Sequence, residues 1–164
     1  MRPLKSITSM AEAFEAHDAG EIDAPRLDDA IWLVLTGMVG SASDLAKLPG
    51  PVADYYASRY LQFEVGNGGF AQAAYNIPDY FGPAAKGYRA RGLPEAAALI
   101  DKAALIVEEE RAKFDADDIG DLFEQFEDSE LADFDEELDD VGFWADESRL
   151  AHVLRHRDTF LSVG

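Results

Sequence analysis

A run of carboxylates that nevertheless carries a regular apolar stripe is what most restricts the folding of this chain. Between Glu108 and Asp140 there are 17 acidic residues against Arg111 and Lys113, a net charge of −15. A segment so charged ordinarily cannot bury enough apolar surface to offset its ordering entropy. Yet Ile119, Leu122, Phe123 and Phe126 fall at i, i+3, i+4 and i+7, and Leu131, Phe134, Leu138 and Val141 nearly repeat the pattern. That spacing lines one face of a helix. The acidic segment, 108–140, is therefore expected to fold as helices laid on a core that the other residues supply.

Those other residues are apolar enough to supply it. Of 164 residues, 48% are hydrophobic, and outside the acidic segment the net charge is only −4. A chain of this length suits one domain with one core. Ser9 and Glu12 fit a capping box opening a helix to about Asp18. Pro25 suits the first turn of a second helix, running to Gly37 or Gly40 with Leu27, Ala30, Ile31, Val34 and Leu35 inward. Ile31 to Leu35 also reads as a strand, but no neighbouring segment offers a pairing partner. A helical turn is expected at Asp44 to Leu48. Pro51 opens a third helix through Glu64, with Val52, Tyr55, Tyr56, Tyr60 and Phe63 on one side. Gly66-Asn67-Gly68-Gly69 breaks it before a short helix from Phe70 to Tyr75. Further helices are expected from Pro83 to Arg91, from Glu95 to Phe114 and from Asp146 to Phe160. The last carries Leu150, Val153 and Leu154. Residues 1–164 thus read as a single compact all-α, multi-helix domain whose C-terminal third is acidic.

Charge and composition exclude several function classes. The total charge of −19 repels nucleic acid and anionic membranes and attracts basic proteins. With no cysteine, disulfides, thiolate metal sites and cysteine nucleophiles are ruled out. Met1 to Ser6 lacks the apolar stretch of a signal peptide, and the longest apolar run, Ala30 to Val39, is broken by Thr36 and Gly37. A cytoplasmic protein is expected.

Motifs for catalysis or metal binding are weak. Asp115 to Asp121 opens like a calcium loop, but Ile119 stands at position five and Phe126 at position twelve, where a glutamate is required. His152 and His156 lie one helical turn apart without the glutamate of a zinc protease motif or a third ligand. They read as a cationic pair suited to a helix C-terminus, and His17 has no evident partner. No serine lies in a nucleophile elbow. Gly66 to Gly69 follows a helix rather than a strand and lacks the lysine of a phosphate loop. Neither an enzyme, a cofactor nor a metal site is expected.

Residues 59–76, Arg-Tyr-Leu-Gln-Phe-Glu-Val-Gly-Asn-Gly-Gly-Phe-Ala-Gln-Ala-Ala-Tyr-Asn, resemble the signature of the DNA mimic protein 19 family. That signature is an aromatic-rich helix, then Glu-Val-x-Asn-Gly-Gly-Phe-x-Gln, then an aromatic-Asn pair. The likeness extends through the alanine-rich helix from Pro94 and returns between Leu138 and Phe160, covering about 25–160. One departure is Ile77-Pro78-Asp79, where Ser/Thr-Gly usually follows the Asn. The resemblance implies an all-helical fold and, for the described member, a homodimer that imitates duplex DNA and relieves repression by occupying a transcriptional regulator.

Carboxylates can stand in for phosphates when their density matches. Here one net charge falls every 2.2 residues, or about 3.3 Å of helix at a rise of ~1.5 Å. A single DNA strand carries one per ~3.4 Å. The expected partner-binding carboxylates are Asp115, Asp117, Asp118, Asp121, Glu124, Glu127, Asp128, Glu130, Asp133, Asp135, Glu136, Glu137, Asp139 and Asp140. The expected partner is a basic DNA-binding protein, bound through Asp115 to Asp140, with no direct contact to nucleic acid or membrane. The motif residues Glu64, Asn67, Gly68, Gly69, Phe70, Gln72 and Asn76 are expected to shape a turn, with Glu64 and Gln72 hydrogen-bonding it and Phe70 buried. Phe143 and Trp144 suit a self-interface as readily as the core. Two other functions stay open: an immunity-type protein capping a cationic nuclease, and a small-ligand protein built around Glu64, Asn67 and Gln72.

Overall fold

Local signals in the sequence account for most helix starts in the computed structural model, which describes residues 1–115 and 121–164. Asp117, Asp118 and Ile119, and the centre of the calcium-like loop, lie outside the described residues. Helix α1 spans Met10–Asp18, and its Glu12 amide donates to the Ser9 hydroxyl (3.2 Å). The Glu12 carboxylate reaches back to the Thr8 amide (2.7 Å), one residue beyond the position expected of the capping box. Helix α2 spans Ala24–Thr36, with Pro25 in its first turn and Asp23 accepting from the Arg26 amide. Ile31 and Leu35 are buried within it, so the ambiguous apolar run is helical.

A 3-10 segment, Ala42–Lys47, leads into α3, Gly50–Asn76. After a 3-10 turn at Pro78–Tyr80 come α4, Phe81–Ala90, and α5, Pro94–Lys113. The acidic region folds as α6, Asp121–Asp128, and α7, Leu131–Phe134, which runs on as a 3-10 turn, Asp135–Glu137. Helices α8, Asp146–Arg155, and α9, Arg157–Leu161, close the fold. The described residues contain no strand, and the domain is all-α. No described helix is long and apolar enough to cross a membrane.

Helix α3 is the central element, touching α4, α6, α7, α8 and α9. Small residues set its closest crossing. A Cβ at Gly87 of α4 would collide with the carbonyl oxygen of Asp54, so the α3 and α4 backbones meet there. Around the crossing Ala57, Ala84, Ala85, Ala96 and Ala97 are all buried.

Three expectations are corrected. Phe63, expected on the buried side of α3, is 56% exposed. The closing helix is broken at His156 (φ −109°, ψ 25°), which lets Phe160 pack edge-on against Tyr55 at 5.5 Å. Leu154 is exposed, while His152 is buried. Its Nε2 lies 2.8 Å from the Pro51 carbonyl oxygen, and burial holds its pKa below the ordinary value. His152 is thus a core imidazole donating to a carbonyl rather than a cation at a helix end.

A buried ionic cluster joins α2, α3 and α8. Asp28 accepts from the Tyr55 hydroxyl (2.6 Å), from Arg59 (2.8 Å) and from Arg149 through both Nε (2.9 Å) and NH2 (2.6 Å). Arg149 also donates to the Gln62 side-chain oxygen at 3.1 Å. Burial alone would raise the Asp28 pKa, and it is the largest influence. The hydrogen bonds and charges of Arg149, the charge of Arg59 and the Tyr55 hydroxyl outweigh it and leave the carboxyl below its usual value. Replacing Arg149 by Met strands a buried carboxylate and is expected to lower the unfolding free energy by about 3 kcal/mol. Because the folded pKa of Asp28 is depressed, its contribution is complete above about pH 4 and is lost as pH falls through the folded value. Urea unfolding of the wild type and Asp28→Asn should therefore differ most near neutrality and converge in acid. A gap that does not narrow as the pH falls below about 4 would rule out this origin.

Candidate functional site

The acidic region presents two faces. On the outer one the side chains of Asp121, Glu124, Glu127, Asp128, Glu130, Asp133, Glu136, Glu137, Asp139 and Asp140 are all exposed, as is Asp115. From Asp121 to Asp140 no carboxylate has an ion-pair partner among the described residues, whereas the flanking Glu110 and Asp146 pair with Lys113 and Arg149. Elsewhere acids have been given bases: Asp18 has Arg157, Asp44 has Lys47, Asp101 has Arg89, and Asp29 has Arg59. Within α6, Glu124 stands one turn from Asp121, Glu127 and Asp128, spacings that destabilise a helix by a few tenths of a kcal/mol per pair.

Apolar burial on the inner face outweighs that repulsion. Phe126 and Leu131 are completely buried, and Leu138 nearly so. Each such side chain contributes about 1.5–3 kcal/mol. Phe123 meets Tyr75 at 5.7 Å, and Phe134 meets Phe70 at 6.5 Å, both edge-on. The Gln125 side-chain amide ties α6 to the end of α5 through the Glu110 carbonyl and carboxylate, both at 2.7 Å. Beside that tie is an open cleft of about 410 Å³ lined by Glu110, Asp121, Glu124 and Asp128.

The acids do not follow one straight rod, as the single-strand comparison assumed. Ser129 ends α6, its hydroxyl donating to the Phe126 carbonyl (2.6 Å) and accepting from the Leu131 amide (3.2 Å). The carboxylates therefore follow two short helices around a bend.

Asp135 is unlike its neighbours. It is half-buried, and its Oδ1 accepts from the Phe70 backbone amide at 2.9 Å. Its placement corrects the expectation that it presents a free charge. The partner amide opens the second half of α3, because the helix breaks at Gly68 and Gly69. Gly69 has φ +76°, a left-handed conformation that glycine alone adopts at no steric cost, and a Cβ there would collide with the Asp135 carboxylate. Burial pushes the Asp135 carboxyl up, while the Phe70 amide pulls it down.

The remaining motif residues clamp the same break. Glu64, buried, accepts from Gln72 Nε2 (3.2 Å) and Asn76 Nδ2 (3.0 Å), which bridges the two halves of α3. The Gln72 side chain folds over Gly68, where any Cβ would strike it. Phe70 is fully buried against Phe81 and Phe143, both at 6.1 Å. The break is narrower than the four-residue interruption expected, since only Gly68 and Gly69 leave helical geometry.

Asn67 points elsewhere, into an open groove of about 330 Å³ with Phe63, Gly66 and Trp144. That groove holds neither Glu64 nor Gln72, so the structure does not bring the three proposed ligand residues together. Phe143 is not a surface residue either: it is fully buried and stacked on Tyr88 at 5.1 Å, leaving Trp144 exposed beside Gly66. The sequence carried no signal for Asp135's role, because its spacing matches that of the exposed acids around it. His152 and His156 rings lie 4.7 Å apart, and no group of three metal-binding side chains occurs among the described residues.

Residues 46–157 match the family model described as DMP19-like protein. Comparison with curated proteins gave no match, nor did comparison with solved structures.

Two kinds of carboxylate imply opposite responses to mutation. Asp135→Ala leaves the Phe70 amide without its acceptor and should lower the unfolding free energy by about 1–3 kcal/mol. Asp133→Asn with Glu137→Gln should leave stability unchanged or raise it by a few tenths. Equal effects of the two variants in urea titrations would contradict the division.

Proposed function

Because this chain belongs to the DMP19-like protein family, we propose that it is an acidic DNA mimic, binding without catalysis to the basic surface of a DNA-binding protein such as a transcriptional regulator. One observation carries this reading: the exposed carboxylates from Asp121 to Asp140 have no ion-pair partner among the described residues, although they lie on a folded, well-anchored support. A solubilising surface needs charge but no fixed geometry. Here the inner face holds α6 and α7 against α3 and α5, so the anions are held in place before a partner arrives. Such preorganisation spares the partner the ordering penalty that a flexible acidic tail incurs. Lysines and arginines that contact phosphates on DNA would meet carboxylates instead, with the salt sensitivity of charge-driven binding. Exposed Phe63 and Trp144, adjacent in one groove, supply the apolar surface that a homodimer would bury.

Affinity capture from host lysate at two salt concentrations tests the proposal. The wild type would be compared with a variant carrying Asp121, Glu124, Asp128, Asp133 and Glu137 as Asn or Gln. The expected result is retention of a DNA-binding protein that is lost in high salt, lost with the variant and displaced by duplex DNA. With five charges removed, affinity at low salt should fall by roughly seventyfold to several thousandfold, each contact being worth ~0.5–1 kcal/mol. Retention of a nuclease instead would favour the immunity-type reading, and charge-independent retention would overturn both.

A further inference from the structure

Away from the acidic face, the departure Ile77-Pro78-Asp79 builds a cavity that the preceding reading does not use. The 3-10 turn Pro78–Tyr80 folds the chain back toward Tyr56 and Tyr60 of α3 and the loop after α2. The three tyrosines line a cavity of about 290 Å³. Their rings are mutually inclined, with centroids 5.9 Å (Tyr56–Tyr60), 5.0 Å (Tyr60–Tyr80) and 6.3 Å (Tyr56–Tyr80) apart. Trp32 stacks on Tyr56 at 4.8 Å and holds the cluster in place.

Tyr56 and Tyr80 are 4% and 6% exposed, yet neither hydroxyl, nor that of Tyr60, has a hydrogen-bond partner among the described residues. Buried phenols ordinarily find one, as Tyr55 and Tyr88 do here through Asp28 and the Phe143 carbonyl. These three hydroxyls instead open onto the cavity, where their oxygens are available to a ligand. Burial, with the neighbouring phenols of Tyr80 and Tyr60, raises the Tyr56 pKa to about 12, so the walls stay neutral.

The sign of that ligand follows from the donors. The Gly40 and Ser41 amides, which could have cradled an anion, both donate to Asp44 Oδ2 (2.8 and 3.2 Å). The Asn76 amide is committed to Glu64. Among the described residues no lysine, arginine or histidine lines the cavity. Asp79 is on its wall; burial and then the charge of Glu64 raise the Tyr60 pKa, and burial, the Tyr60 phenol and the charges of Asp44 and Asp79 raise that of Tyr80. Of these acids, Asp44 pairs with exposed Lys47, and among the described residues Asp79 has only Arg111 at 3.9 Å and Glu64 has no base. The partly exposed Tyr60 ring, the phenol oxygens and surplus negative charge together suit a weakly hydrated cation.

We propose that this cavity binds an organic cation, an alkylammonium or guanidinium group held against Tyr56, Tyr60 and Tyr80 and balanced by Glu64 and Asp79. The same chemistry is offered by a free quaternary amine and by a lysine or arginine side chain of a polypeptide. The site stands apart from the acidic face, and its test does not depend on which protein that face binds.

Tyrosine ring resonances of the intact chain, followed by NMR, would be titrated with choline, Nα-acetyl-arginine amide and Nα-acetyl-lysine amide. The neutral choline isostere 3,3-dimethylbutanol is the control. Saturable shifts of Tyr56, Tyr60 and Tyr80 with a cation but not with the isostere are expected. A preference for choline assigns the site to a free amine, and a preference for an amino-acid amide assigns it to a polypeptide side chain. Tyr60→Leu, with its fold verified by circular dichroism, should weaken binding about tenfold. Asp79→Asn, which alters only an exposed side chain, should weaken it severalfold. The Asp133→Asn, Glu137→Gln variant should bind as the wild type does. Absence of saturation with every cation, equal shifts with the isostere, or loss of binding only in the acidic-face variant would overturn the proposal.

Discussion

The hydrogen bond from the Phe70 amide to Asp135 is where the charged and apolar parts of this protein become one structure. Helix α3 must break for Phe70 to enter the core, and a broken helix exposes amides that need acceptors. Asp135 supplies one from a segment 65 residues away in sequence. Gly69 provides both the left-handed backbone and the space for that carboxylate. Glu64, Gln72 and Asn76 hold the break from the other side. The motif at 64–76 and the acidic run therefore belong to a single joint.

That joint explains how so many like charges can be held on short helices. Repulsion between acids one turn apart is small per pair, whereas burying Phe126 or Leu131 is worth several times more. The balance favours folding without any base among the carboxylates. The Asp28 cluster shows the opposite arrangement, in which a buried carboxylate is surrounded by Arg59, Arg149 and Tyr55. The chain thus has arginines suited to pairing with acids and uses them away from the acidic face, both inside and on the surface, while that face retains its charge.

Much of this was legible before the structure. Helix starts at Ser9, Pro25 and Pro94 were readable because capping and proline effects are local. The apolar stripe through 122–141 was readable because helical period does not depend on partners. Misreadings arose where two helical faces compete for burial. Phe63 and Leu154 fit an inward stripe on their own helices, yet α3 and α8 turn other faces to the core, placing Glu64 and His152 inside. The choice between core and interface for Phe143 was not legible because the stacking ring, Tyr88, is 55 residues away in sequence.

By itself the sequence determined the all-α class, the concentration of charge in one segment and the amphipathic character that forces this segment to fold, because each follows from residue type and short-range spacing. Only the tertiary structure decided which carboxylates are exposed and which is structural. Asp133, Asp135 and Glu137 are chemically near-equivalent, and what separates them is the proximity of Asp135 to an amide freed by a distant helix break. The tyrosine-lined cavity likewise required three ring positions to converge from α3 and the Pro78–Tyr80 turn. Convergence of that kind depends on how helices cross, which is set by long-range packing at sites such as Gly87.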